Sequence, residues 1–303
     1  MSSRSVVLLT TCHLHLDGVS DLMRLIESVA ASLEGGEVAE IRHIVLLQGS
    51  APSESIVLQL QLPDWVDLLS TEARLSSSAA RNHMIGHLLS AGDFDPEAIV
   101  GFPDDDAWYP LGTLGKIADY FARDGALQLL LARYGPDPSV ARAGAAYRPT
   151  LQQALSSGAC ASIFVRARTL AQLGGFHPLL GLGTELSGGE DTEFVHRAFQ
   201  VAKRHSLIVA GTLVGHEAAE PVKKMKYYEG GLAAIAAHSS ASPAARLALV
   251  RKLLVGVGWM IAGRMTPHDF VRAVKRARTR VPALRELPLA ERYQTLAAGN
   301  SGH

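Results

Sequence analysis

Only two cysteines occur in the 303 residues, Cys12 and Cys160. Two cannot build a disulfide framework, and with no CxxC and no Cys/His cluster a structural zinc site is not expected either, so a reducing compartment fits best. No run of roughly 18 or more apolar residues is present, which argues against a transmembrane helix. The nearest approach, Leu253 to Gly263, is bounded by Lys252 and Arg264. The N-terminal MSSRSVVLLTTCHLHLDG has too short an apolar run for a signal peptide and no A-x-A-like cleavage site after it. The expected location is therefore cytoplasmic. Internal repeats are lacking too. What is there is globular composition, 48% hydrophobic and 19% charged, enough chain for one large domain or two modest ones.

Net charge is also lacking, at +0, but its distribution is lopsided. Pro221 to Val281 holds twelve Lys/Arg against Glu229 and Asp269, a local +10 that the rest of the chain balances. A basic tail of this kind points to an anionic partner. Residues 244–280 add a short apolar stretch, Leu253, Leu254, Val257, Trp259, Met260 and Ile261, to the flanking cations. Two readings stand: a helix packed on the acidic remainder, or an interfacial helix on the inner face of the plasma membrane with Trp259 at headgroup depth. Nucleic acid is not expected, since aromatics for base stacking are scarce in the tail.

The first half alternates strand and helix. Ser5–Thr11 and Ile41–Leu47 are continuous apolar runs, as in buried parallel strands, and Val66–Ser70 and Ile99–Phe102 complete the set. Asp21–Leu33 carries Leu22, Leu25, Ile26, Val29 and Leu33 at helical spacing, stopped by Gly35-Gly36, and Ser78–Leu89 follows the capping serines Ser76–Ser78. The rhythm predicts an α/β fold with a mainly parallel sheet flanked by helices. In such sheets ligands bind beyond the carboxyl ends of the strands, which gathers Thr10–His13, Gln48–Ser50 and Asp104–Asp106 around one crevice. Further on, the pattern predicts helices at Leu111–Asp124, Arg168–Leu173 and Glu190–Lys203, and strands at Gln128–Arg133, Ala159–Val165 and Leu207–Val214. From about Pro221 it is helical.

Four features could carry chemistry. Asp104-Asp105-Asp106 follows an apolar strand; adjacent carboxylates repel, and a divalent cation would relieve them, although an exposed acidic turn is the plainer reading. Gly188-Gly189-Glu190-Asp191-Thr192-Glu193 opens a helix. Acidic residues there suit the helix dipole, but they also follow the glycine-rich loop Gly174–Gly189, of the kind that forms a mobile lid, and a carboxylate could serve as a general base. His216, in Gly215-His216-Glu217 after a strand, is either an ordinary histidine or a metal ligand. Arg81, in Ala-Arg-Asn, is either on a solvated helix face or a cation reaching diphosphate oxygens.

Taken in order, these segments resemble one family. The chain runs strand; Gln48-Gly49-Ser50; Ala80-Arg81-Asn82; Phe102-Pro103-Asp104-Asp105-Asp106 with Pro110; Leu173-Gly174-Gly175-Phe176; Gly189-Glu190-Asp191-Thr192-Glu193-Phe194 with Arg197; and Gly215-His216. Over residues 5 to 216 this is similar to a family 2 glycosyltransferase with the Rossmann-like GT-A fold. The resemblance implies a GT-A domain over 1–220, with a nucleotide-binding half (1–110) and an acceptor half (111–220), before a basic helical extension over 221–303. It implies a hexosyltransferase-like, inverting enzyme using a UDP- or GDP-sugar and a saccharide or lipid-linked acceptor, as in surface polysaccharide or glycolipid synthesis. Mg²⁺ or Mn²⁺ would be held by Asp104, Asp106 and His216. Thr11, Gln48, Arg81, Asp104 and Asp105 would contact the donor, Asp191 would be the base, and Glu190 its neighbour in the catalytic pair. Gln48, Thr10-Thr11-Cys12-His13, Pro103 and His177 differ from the family's commoner residues. Two other classes compete. A nucleotidyltransferase also sets acids at a sheet edge, but it needs a basic Gly-rich loop, and residues 10–20 offer only Gly18. A degenerate scaffold that only binds sugars or partners would not need both acidic motifs.

Overall fold

A computed structural model describes residues 5–13, 16–33, 38–49, 61–92, 94–217 and 227–286. Ser50, Gly35-Gly36, Lys223, Lys224 and Lys226 lie outside the described residues. Strands β1 (Ser5–His13), β2 (Glu40–Gln48), β3 (Val66–Thr71) and β4 (Ile99–Gly101) pair in parallel, with Ser5 opposite Glu40, His43 opposite Val66 and Val6 opposite Ile99. The rest are β5 (Leu129–Gly135), β6 (Ala146–Tyr147), β7 (Ile163–Arg166) and β8 (Ser206–Gly215). The sheet order is β3-β2-β1-β4-β7-β5-β8-β6. β7 is antiparallel to both β4 and β5, β5 is parallel to β8, and β6 is antiparallel to β8. All strands but β6 and β7 therefore point one way. The carboxyl ends of β1, β2, β4, β5 and β8 share one edge.

The apolar runs are continuous because both faces of the sheet are covered. Val7, Leu9, Val100, Leu129 and Leu131 face α2 (Ser77–Ser90), α5 (Ala167–Leu173) and α6 (Glu190–Ala202). Their neighbours Val6, Leu8, Ile99 and Leu130 face α1 (Leu16–Leu33) and α3 (Thr113–Arg123). Ser76 caps α2, accepting from the Ala79 N–H at 3.3 Å.

Three features depart from the sequence reading. Cys160–Ser162 forms a single tight helical turn, so the strand expected from Ala159 starts at Ile163. The two-residue β6 and the short helix α4 (Leu151–Ser157) were not anticipated. The helical tail is divided into α7 (Tyr228–His238), α8 (Pro243–Ile261) and α9 (Pro267–Glu286), so the stretch 244–280 spans two helices. α7 lies against α6, α8 and α9 around a second core of Leu180, Leu186, Tyr228, Leu232, Ala233 and Leu284. Trp259 packs on that core, 5.4 Å from the Tyr228 ring, and so does not take the headgroup position. No helix among the described residues is long and apolar enough to cross a membrane.

Candidate functional site

The end of β8 brings the metal candidates together. Trp108, just past the acidic triplet, pairs with Gly215 through two backbone hydrogen bonds, Trp108 N–H to Gly215 O at 3.0 Å and Gly215 N–H to Trp108 O at 2.7 Å. The indole lies against the Gly215 Cα, where any Cβ would overlap it, so the backbone approach requires glycine. The next residue, His216, then sits beside the triplet, its Nε2 3.4 Å from Asp106 Oδ1 and 4.0 Å from Asp104 Oδ2. His216 Nδ1 lies 2.7 Å from the Glu217 carbonyl, which can only accept, so Nδ1 carries a proton. Nε2 thus faces the two carboxylates, and the ligand atoms of Asp104, Asp106 and His216 lie within 4.8 Å of one another, oxygen and nitrogen donors converging as a cation's ligands would. Desolvation raises the Asp106 pKa, partly opposed by His216. Burial lifts Asp105 to about 6, while a hydrogen bond with Cys12 works against the rise.

Behind the triplet lies Arg81. It is buried at 6% exposure, which removes the solvated-face reading. Its Nη2 donates to Asp104 Oδ1 at 2.8 Å, and Nη1 approaches Glu190 Oε1 at 3.7 Å without a hydrogen bond. Burial disfavours its charge, but Cys160, Asp104, Asp191 and Glu190 outweigh this and hold the guanidinium firmly protonated. Its carbons lie over Phe176, 5.3 Å from ring centre to Cζ. Phe176 in turn stacks on Phe194 at 4.4 Å and meets Phe102 edge-on at 5.1 Å. The phenylalanines of three separate motifs thus lock the end of β4, the Gly-Gly-Phe turn and α6 together. Asn82 completes the lock, donating to Phe176 O at 2.8 Å and accepting from Phe176 N–H at 2.7 Å.

Glu190 and Asp191 begin α6, but they face different surroundings. Glu190 is buried, accepts from Ser77 Oγ at 3.1 Å and lies beside Arg81. Asp191 Oδ2 accepts from the Cys160 N–H at 3.1 Å, whereas its Oδ1 has no partner and is shielded from solvent. Burial, then the neighbouring Glu190, pushes the Asp191 pKa well above the ordinary carboxylate range; Arg81 opposes this only in part. Thr11 and Gln48 hydrogen-bond to each other at the same edge, and Gln48 Oε1 accepts from Leu75 N–H at 2.8 Å. Gln48 is buried, so it shapes the entry to α2 from beneath the crevice. The nearby His43 gives Nε2–H to Thr10 Oγ1 at 2.8 Å, and Thr10 donates on to Pro103 O at 3.1 Å; full burial lowers the His43 pKa to about 3.

The loop read as a mobile lid is pinned on three sides. Leu182 O and Leu180 O accept from Ser77 N–H and Ser78 Oγ of α2 at 2.9 and 2.7 Å. Gly188 and Gly189, both at positive φ, meet Gly230 of α7 backbone to backbone. Arg280 of α9 pairs with Glu185. Ser77 and Cys160 were missed as partners of the acidic pair, as was Tyr134, whose ring lies 5.5 Å from that of His216.

The sequence matches no family model and no curated protein. Its fold has solved counterparts. The crystal structure of S. aureus TarS 1–349 is 13% identical, covering 97% of this chain and 90% of that one at a TM-score of 0.61. The same fragment in complex with UDP-GlcNAc gives 14% and a TM-score of 0.62 over the same shares. A longer TarS structure, 55% covered, gives 15% and 0.60. At such identities the shared property is the fold, a mixed, mainly parallel sheet flanked by helices.

Proposed function

We propose that this chain is a glycosyltransferase of the family 2 type, moving a sugar from a UDP- or GDP-sugar to an acceptor hydroxyl with inversion. The observation that carries the reading is the pairing, at one sheet edge, of the Asp104/Asp106/His216 trio with a half-buried carboxylate, Asp191, that has an unpartnered oxygen. The fold shared with a protein crystallised with UDP-GlcNAc supports the donor class. The trio would hold Mg²⁺ or Mn²⁺, which when bound neutralises charge on the departing diphosphate. Asp191 Oδ1 takes the proton of the acceptor hydroxyl as its oxygen attacks the anomeric carbon opposite the leaving group. Arg81 holds Asp104 and Glu190 in place and sets its positive charge beside the diphosphate site, while Asp105 and Thr11 line the nucleotide side of the crevice, with Gln48 supporting Thr11 from beneath. The acceptor is a saccharide or a lipid-linked saccharide, and an anionic membrane surface is the partner of α8, through its exposed Leu247, Val250, Leu254 and Ile261.

The test is a panel of nucleotide sugars with Mn²⁺ or Mg²⁺, scored for thermal stabilisation and nucleoside diphosphate release. One or more donors should stabilise the chain only with metal, and Asp104→Ala and Asp106→Ala should abolish this while the far-ultraviolet spectrum is unchanged. Undiminished donor affinity and turnover in EDTA would overturn the metal assignment; transfer of the nucleotide instead of the sugar would overturn the reaction class.

A further inference from the structure

Beside His216 lies a cavity of about 530 Å³ that none of the preceding roles uses. Its walls come from four elements: Arg133 and Tyr134 on β5, Tyr147 on β6, Gln153 and Ser156 on α4, and Arg251 on α8. Two links tie it to the site. The Tyr134 ring meets that of His216 at 5.5 Å, and α4 leads within three residues to Cys160, whose N–H holds Asp191. The cavity therefore adjoins both His216 of the trio and the segment that holds the base.

Its charge is of one sign. Arg133 and Arg251 are both exposed, and neither side chain has a hydrogen bond or ion pair among the described residues. No carboxylate lines the cavity. Two unpaired guanidinium forks in one cleft focus a positive field there and present donors matched to a tetrahedral anion. The two tyrosines offer flat apolar faces with polar tips, and Gln153 and Ser156 offer donors and acceptors for hydroxyls. Arg251 comes from the basic extension, which thereby contributes a wall to the site.

Resting on the transfer reading, we infer that this cavity is the acceptor groove and that the acceptor is a polyol or saccharide bearing an anionic group, phosphate above all, near the hydroxyl that reacts. A neutral acceptor leaves both arginines unanswered. Charge-assisted hydrogen bonds of this type are worth roughly tenfold or more in affinity for each arginine.

The probes are glycerol 3-phosphate and glycerol, tested on the whole chain. Calorimetry in EDTA should show glycerol 3-phosphate binding at least tenfold tighter than glycerol. The preference should vanish in R133Q/R251Q and persist in D104A/D106A, which places the anion in the groove and not at the trio. With metal and a donor that the chain hydrolyses, glycerol 3-phosphate should accelerate nucleoside diphosphate release and become glycosylated, and glycerol should do so far less. Equal binding of the two probes, or binding lost in D104A/D106A and kept in R133Q/R251Q, overturns the groove assignment while donor hydrolysis leaves the transfer reading standing. Binding at the arginine pair with no donor of the panel turned over overturns the transfer reading and, with it, the role of acceptor groove.

Discussion

Glu190 and Asp191 share a helix turn and a chemistry, and only their surroundings separate them. Glu190 answers Ser77 and Arg81, whereas Asp191 keeps one buried oxygen unanswered. A base must be ionised to act, and the Asp191 pKa is raised, so transfer should climb with pH through a limb set above the ordinary carboxylate range. Asp191→Asn should lose that limb and roughly 10²–10⁴-fold in rate while still binding donor and metal. The same shift has the opposite sign for stability. A folded carboxyl with a raised pKa holds its proton after the unfolded chain has released its own, so its contribution falls as pH rises from the ordinary value through the raised one. Urea midpoints should therefore fall less with pH across that window in Asp191→Asn than in the parent. An active Asp191→Asn beside a dead Glu190→Gln would exchange the roles. Asp104, Asp106 and His216 were legible as polar residues ending apolar strands, because a parallel sheet sends such residues to one edge. The Cys160 N–H and the Ser77 hydroxyl were not. A backbone amide leaves no mark in sequence, and Ser77 was indistinguishable from its capping neighbour Ser76.

Among elements, the seam between α7 and the loop ahead of α6 sets where the acidic pair sits. A Cβ on Gly230 would overlap the Gly188 carbonyl, and one on Gly189 would overlap Gly230. Gly230→Ala must push α7 away or shift the start of α6. We expect a loss of about 1–3 kcal/mol, the usual scale of overpacking, with a fall in turnover because Glu190 and Asp191 move with the loop. Gly258 in α8 is the control, since a Cβ there meets nothing within 4 Å. Gly258→Ala should gain about 1 kcal/mol through helix propensity alone. Chemical denaturation measures both, and equal effects would show that the seam is not tightly packed. The buried strands were readable because continuous apolar runs require cover on both faces. β6 was not, because two residues carry no period. α4 had a signal that was passed over: Thr150 and Gln153 form a reciprocal capping box, and that spacing is visible in sequence. Glycine marks close backbone approach as readily as mobility, and in the loop ahead of α6 it is α7 that supplies the approaching backbone.

For the molecule as a whole, the +10 tail proves to face two ways. Arg276 and Arg280 of α9 turn inward to Glu229 and Glu185, and Arg285 donates to Ala237 O at 2.8 Å, so part of the charge holds the extension together and fastens it to the loop ahead of α6. Arg246 and Arg264, near the two ends of α8, stay exposed. Between them Leu247, Val250, Leu254 and Ile261, spaced for one helix face, are 65%, 51%, 61% and 84% exposed. Removing everything after Ala219 would uncover the second core and free Gly188-Gly189, so the shortened chain should aggregate or melt well below the parent. It is therefore a poor probe of what the strip touches. Leu247→Glu/Leu254→Glu alters only exposed positions and should keep the parent's melting point. Each cation near an anionic surface contributes about 1 kcal/mol and the apolar strip adds its own burial, so the full chain should co-sediment with phosphatidylserine vesicles at low salt and release as salt rises. The double variant should stay in the supernatant at either salt. If parent and variant both remain unbound at low salt, α8 does not meet lipid, and its cations act through the Arg251 groove and the contacts of α9 alone.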